Sequence, residues 1–283
     1  MSADIVSVFV RTLALVCLFQ AAGTAFFVLL FAQWLPRSSA PIQRLGFWAA
    51  VVAVPLLAAH QCLDAARMAD GLSGLSDPHL ESLAWGGSSG NATLLEMTGL
   101  GVVAFGLTRA VAPAGSIAST GAVLAACAAV LTGHTSVHPQ RGLLAPLLAV
   151  HLLLVAFWFG ALVPLIICCV RESQQLTAAV LRGFSAVAGI LVPCIGIAGL
   201  TMALVLMPGS ASWRTTYGSL VLAKIGAFGV LLALAAWNRW QALPGSPALR
   251  RSIAVEYVLM VAVLAATATM TTFYSPESDP ALQ

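Results

Sequence analysis

The stretch LLAPLLAVHLLLVAFWFGALVPLIICCV, residues 143–170, runs for 28 residues without a single Asp, Glu, Lys or Arg. A hydrocarbon core of about 30 Å takes roughly 20 residues of helix to cross, so this run spans a membrane and decides the fold class. Working outward from it, apolar runs of similar character lie at 12–34, 44–63, 92–112, 116–133, 184–207, 218–240 and 251–273. Together they predict an all-α, polytopic membrane bundle of about eight transmembrane helices. With 60% hydrophobic and 8% charged residues in 283, and a mean hydropathy of +0.95, residues 1–283 read as a single integral membrane domain. The longest connection, residues 64–91, is rich in glycine and reads as an outer loop with room for one short interfacial helix. Ala21-Ala22-Gly23 in the first run reads as helix-packing surface in a retained span, because that run lacks the basic flank and short apolar core of a signal peptide.

The few charges orient the bundle. Arg37, Arg44, Arg109, Arg171, Arg182, Arg239, Arg250 and Arg251 fall at one end, whereas Arg11, Arg67, Arg141 and Arg214 fall at the other. Eight against four predicts that both termini face outward, away from the cytoplasm. Asp4, Asp64, Asp70, Asp77, Glu81, Glu277 and Asp279 lie at that outer end too, a weaker sign because acids count for little in this rule. A net charge of +3 without a basic cluster excludes a nucleic-acid footprint. No nucleotide-binding loop, phosphorylatable Asp motif or soluble catalytic segment is visible, so the chain reads as a non-enzyme. The six cysteines lack Cys-x-x-Cys spacing and read as structural thiols rather than a disulfide framework.

On this topology all five histidines, His60, His79, His134, His138 and His151, sit at or near the outer face. His151 lies inside an apolar run, where an ionisable group is a functional-site hypothesis; alone, it reads equally as a hydrogen-bonded packing residue. His134 ends the preceding span after Gly133, and only a short loop separates it from the next span, so antiparallel packing can bring His134 and His151 together. His138, held extended by Pro139, reads more as a solvated loop residue than as a cap on the site. His60 beside Cys62, Glu96 beside Met97, and Met202, Met207 and Met270 stand at comparable depth. Glu96 should face a partner, such as Arg67 or a histidine, or an ion. Imidazole and thioether donors outside the cytoplasm select copper, particularly Cu(I). The candidate metal ligands are therefore His134, His151, His60, His138 and Glu96.

The segment Gly133-His134, Val150-His151-Leu152 and Phe157-Trp158-Phe159-Gly160-Ala161-Leu162 resembles the copper resistance D (CopD-type) family of inner-membrane proteins. Arg182-Gly183-Phe184-Ser185, Thr216-Tyr217-Gly218 with Leu222-Ala223-Lys224, Asn238-Arg239, and Arg250-Arg251-Ser252 with Glu256 are similar to that family's later signatures, in the same order. The resemblance covers residues 120–273. It implies an eight-span protein of the bacterial inner membrane that handles copper between periplasm and cytoplasm, with His134 and His151 at the matching positions and a periplasmic copper-binding protein as a possible donor. Leu147-Leu148-Ala149-Val150 is apolar where the family often carries an acid, which leans toward Cu(I) with neutral ligands.

The expected function is acceptance of copper at the periplasmic face and its import or transfer inward. Alternatives are a b-type haem electron carrier, with His60 and His151 as axial ligands, and a copper-delivery assembly factor without transport. Of the remaining signature residues, Lys224 is expected to snorkel outward, Glu256 to pair with an arginine of the inner loop, Trp158 to pack, and Gly196 and Gly199 to mark helix packing.

The arginine bias makes a direct prediction. In a cysteine-free background, single cysteines at Ser136 and Ser76 will react with impermeant thiol reagents from outside, and one at Ser246 will not. Labelling at 246 but not at 136 would invert the topology.

Overall fold

Each apolar run is a helix, because a backbone in hydrocarbon has no water to bond and must satisfy its own N–H and C=O groups. A computed structural model of the chain describes residues 2–109, 114–207, 209–240 and 243–274, and the side chains of residues 2, 3, 114 and 134 lie outside the description. Glu277 and Asp279, used above for orientation, fall outside it as well. The helices are α1 (Ser2–Phe31), α2 (Ser39–Met68), α3 (Pro78–Gly86), α4 (Ser88–Leu107), α5 (Ala114–Ala128), α6 (His134–Val137), α7 (Arg141–Arg171), α8 (Gln174–Leu206), α9 (Thr216–Trp240) and α10 (Pro247–Phe273).

Seven of these, α1, α2, α4, α7, α8, α9 and α10, are long and apolar enough to cross a membrane, and the stretch Gly115–Leu131, formed by α5 and a following 3-10 turn, is the shorter eighth. At 17 residues it sits at the lower limit for a span. The protein is thus an all-α, multi-pass membrane bundle. The short helix expected in the long outer loop is α3, started by Asp77, whose carboxylate accepts from His79 N and Leu80 N; an acidic N-cap of this kind satisfies donors the first turn leaves free. Below, outer and inner name the two ends of the bundle according to the arginine bias.

The bundle is organised on α1 and α7, which cross at its centre. A Cβ at Gly160 would lie 2.6 Å from both Gly23 Cα and Phe19 O, so the two backbones meet where only glycine fits. Gln20, 4% exposed, locks the crossing by donating from Nε2 to Gly160 O at 3.0 Å. Ala21 and Ala22 are fully buried, in keeping with a packing surface at this point of α1. α2 and α5 pack on α1, α4 pairs with α2 and α5, α8 lies on α7, and α9 lies on α10.

Polar ties close both ends. At the outer end the Arg67 guanidinium lies 3.4 Å from Asp4 and 3.3 Å from Asp64 and donates to Thr272 O at 2.9 Å, joining α1, α2 and α10. At the inner end Glu172, just past α7, accepts from Arg37 N at 2.9 Å, Ser38 N at 2.8 Å and Ser38 Oγ at 2.6 Å. Those bonds satisfy donors at the start of α2, which would otherwise be orphaned. By contrast the α8 and α9 backbones approach each other at few points, so α7–α10 form a looser half.

The crossing generates a paired prediction. Gly160→Leu drives a side chain into the α1 backbone and should cost about 3 kcal/mol or more, seen as a lower melting temperature in detergent. Gly101→Leu, where a Cβ meets nothing within 4 Å, should leave the melting temperature unchanged.

Candidate functional site

His151 lies ten residues into α7, about 15 Å along the helix, and is partly buried. Its Nδ1 is 3.1 Å from Ile195 O on α8. A carbonyl can only accept, so Nδ1 carries the hydrogen, and in the neutral ring the Nε2 lone pair is left free. This arrangement orients a metal-ligating imidazole: one nitrogen is anchored on a main-chain carbonyl and the other is presented. The approach is possible because of Gly199, where a Cβ would sit 3.2 Å from His151 Cε1 and 3.5 Å from Nδ1. Gly199, read from sequence as packing surface, is therefore the seat of the His151 ring.

The α9 face opposite carries Lys224, close enough for its charge to act on His151. Its side chain is half-buried. One turn further in, Phe228 packs edge-on against Trp158 with ring centroids 6.1 Å apart. Trp158, seven residues after His151 and so on nearly the same face of α7, is 2% exposed and is the packing aromatic expected. Gly196 receives the Phe228 ring, 2.9 Å from where its Cβ would lie.

His134 opens α6 directly after Gly133, whose φ of 79° suits glycine. This turn puts the His134 backbone at the outer mouth, just ahead of α7; its side chain lies outside the described residues. His138 is extended before Pro139, at φ −68° and ψ 143°, as the sequence suggests. Its Nδ1 accepts from Gln140 N at 3.1 Å in an exposed turn, consistent with a solvated loop histidine.

His60 and Glu96 belong to another polar cluster. His60 Nδ1 is 3.2 Å from Ser7 Oγ on α1. Beside it Gln61 donates to Ala84 O at 2.8 Å and accepts from Ser89 and Thr93 at 3.1 and 2.9 Å. Glu96 is 4% exposed, and its Oε2 is buried without a hydrogen bond. The cation that acts on it is Arg11 of α1; Arg67, one of the partners expected, is engaged by Asp4, Asp64 and Thr272. α1 lies between α2 and α7, so His60 and Glu96 are built into the α1–α2–α4 side and His151 into the α7–α8–α9 side. Among the described residues no three His, Cys, Asp or Glu side chains come together as a metal cluster.

Glu256 departs from the arginine pairing expected of it. It is 3% exposed, and Asn238 of α9 donates from Nδ2 to its Oε1. Arg239 donates instead to Ser185 O at 3.0 Å on α8. One residue of helix register thus gives the amide, and not the guanidinium, to the carboxyl.

Two comparisons with known proteins bear on this arrangement. The family model for Copper resistance protein D matches residues 178–270, taking in Gly199, Lys224, Asn238 and Glu256 but beginning beyond His151. The chain is also 28% identical over 250 residues to the Copper resistance protein D of Pseudomonas syringae pv. tomato, covering 75% of this chain and 78% of that protein. No solved structure matches. The resemblance read in the sequence is thus supported by both comparisons.

The His151 geometry is directly checkable. Nitrogen-15 spectra of histidine-labelled protein at neutral pH should show His151 protonated at Nδ1 and bare at Nε2, and Gly199→Val should abolish that signature by displacing the ring.

Proposed function

We propose that this protein binds copper at the outer end of its membrane bundle, through Nε2 of His151 together with His134, and passes it inward between α7, α8 and α9. The observation that carries the reading is the Nδ1 bond to Ile195 O, which leaves a fixed, partly buried Nε2 on the outer third of α7. Support comes from the backbone position of His134 at the outer mouth, ahead of α7, and from the similarity to copper resistance protein D. With two neutral imidazoles and, among the described residues, no carboxylate clustered with His151, the donor set suits Cu(I), which accepts soft or borderline ligands. His60 and Glu96, on the other side of α1, are proposed as a separate polar station, and His138 as a loop contact at the entrance. The protein is read as a non-enzymatic protein of the bacterial inner membrane with both termini periplasmic, receiving copper from a periplasmic donor.

The test is copper analysis and affinity measurement on the purified protein in nanodiscs, with an absorption spectrum. Stoichiometric copper without a Soret band is expected; a Soret band would establish the haem reading instead. His151→Ala should weaken copper binding by about 100-fold or more, going beyond the usual effect of removing a supporting residue. Adding His134→Ala should cost little further, because ligands of one ion act as a unit. His79→Ala should leave affinity unchanged. Unaltered affinity in folded His151→Ala would overturn the assignment.

A further inference from the structure

A carboxyl lies deep in the bundle with no ion pair to it among the described residues. Glu256 is nine residues into α10, about 14 Å along the helix, and 3% exposed. Its neighbours are neutral: the Asn238 amide donates to Oε1, and the Trp158 side chain lies near the carboxyl. The charged and titratable groups on the surrounding helices are directed elsewhere. On α9, Arg239 donates to Ser185 O. On α1, Cys17 faces Tyr257. On α7, Cys168 contacts Ser38 Oγ at 3.7 Å, and Cys169 is the group that Arg250 acts on. Arg251 is exposed. Among the described residues no ion pair reaches Glu256.

A second observation concerns the amide itself. Asn238 Oδ1 is buried and has no hydrogen bond. An amide offers a carboxyl both a donor and an acceptor; a carboxylate can use only the donor, whereas a carboxylic acid can use both. The orphaned acceptor is thus matched by a proton on Glu256, and the N–H donors are matched by its absence. Surroundings of carboxyl and amide oxygen do not suit Cu(I), which prefers softer donors. Ionisable side chains held inside a membrane bundle commonly carry protons.

We propose that Glu256 is a reversible proton-binding site, with Asn238 and Trp158 as the groups that accommodate its two forms. The carboxylate takes one proton from water at the inner end of α9, two residues beyond Asn238, to become the acid, and returns it by the reverse step. The site is separated from His151 by the Trp158–Phe228 aromatic contact. In a chain without a nucleotide-binding loop it supplies a driving ion for copper movement, a last step that rests on the copper reading above.

The experiment is acid-minus-alkaline infrared difference spectroscopy of the full chain in nanodiscs. Wild type should show a protonated-carboxyl C=O band that Glu256→Gln removes, any Glu96 band remaining in both spectra. Identical spectra for wild type and folded Glu256→Gln overturn the proposal. Should Glu256→Gln not fold, Asn238→Leu decides: it keeps the carboxyl and removes its N–H donor, so the band should move to higher frequency, and an unmoved band overturns the proposal. Retention of the band in His151→Ala, whatever that variant does to copper affinity, separates this proposal from the copper reading.

Discussion

The crossing of α1 and α7 at Gly23 and Gly160 is the contact on which the remaining geometry hangs. Between membrane helices there is little hydrophobic gain to be had, so close backbone approach and interhelical hydrogen bonds set the arrangement. Gln20, bonded to Gly160 O, supplies the bond, and two glycines supply the approach. With α1 and α7 locked together, α2 and α5 fill the space on one side while α8 and α10 take the other. The outer Arg67 ties and the inner Glu172 cap hold the ends that this central contact leaves free.

That architecture divides the polar groups. On the α7 side, His151, Lys224, the Trp158–Phe228 contact and Glu256 with Asn238 follow one another from the outer third toward the inner half. On the α2 side, His60, Gln61 and Glu96 form a cluster against Ser7 and Arg11. The α7 side is also the looser one, since the α8 and α9 backbones approach each other at few points. In the copper reading proposed above, a fixed imidazole nitrogen in a loosely packed half would serve an ion that enters and leaves, whereas the tight half anchors the fold.

Much of this was legible in the amino-acid sequence. The spans were readable because the membrane imposes a length and an apolarity that no soluble helix needs; most helix ends fall within about five residues of those expected, while α1 and α8 each begin ten residues earlier than their apolar runs. His151 was legible as a functional candidate because an ionisable group in an apolar run is costly. Its anchor was not: Ile195 offers a main-chain carbonyl, which every residue has, and Gly199 was indistinguishable from an ordinary packing glycine. Glu256 was matched by sequence to an arginine because opposite charges at one end of a bundle invite pairing. Asn238, beside Arg239, meets it instead.

Sequence alone determined the class of protein, the approximate number of its spans and the chemistry available along each, because hydropathy and residue type act along the membrane normal, the one coordinate a linear sequence records. Which groups share a level and also share a face was decided only by the tertiary structure. His60, Glu96 and His151 belong to one expected outer layer, yet α1 stands between the first two and the third. Helix order around the bundle and rotation of each helix about its axis arise from glycine crossings and long-range hydrogen bonds, whose partners lie as far apart as Gln20 and Gly160 and leave no periodic mark in the chain.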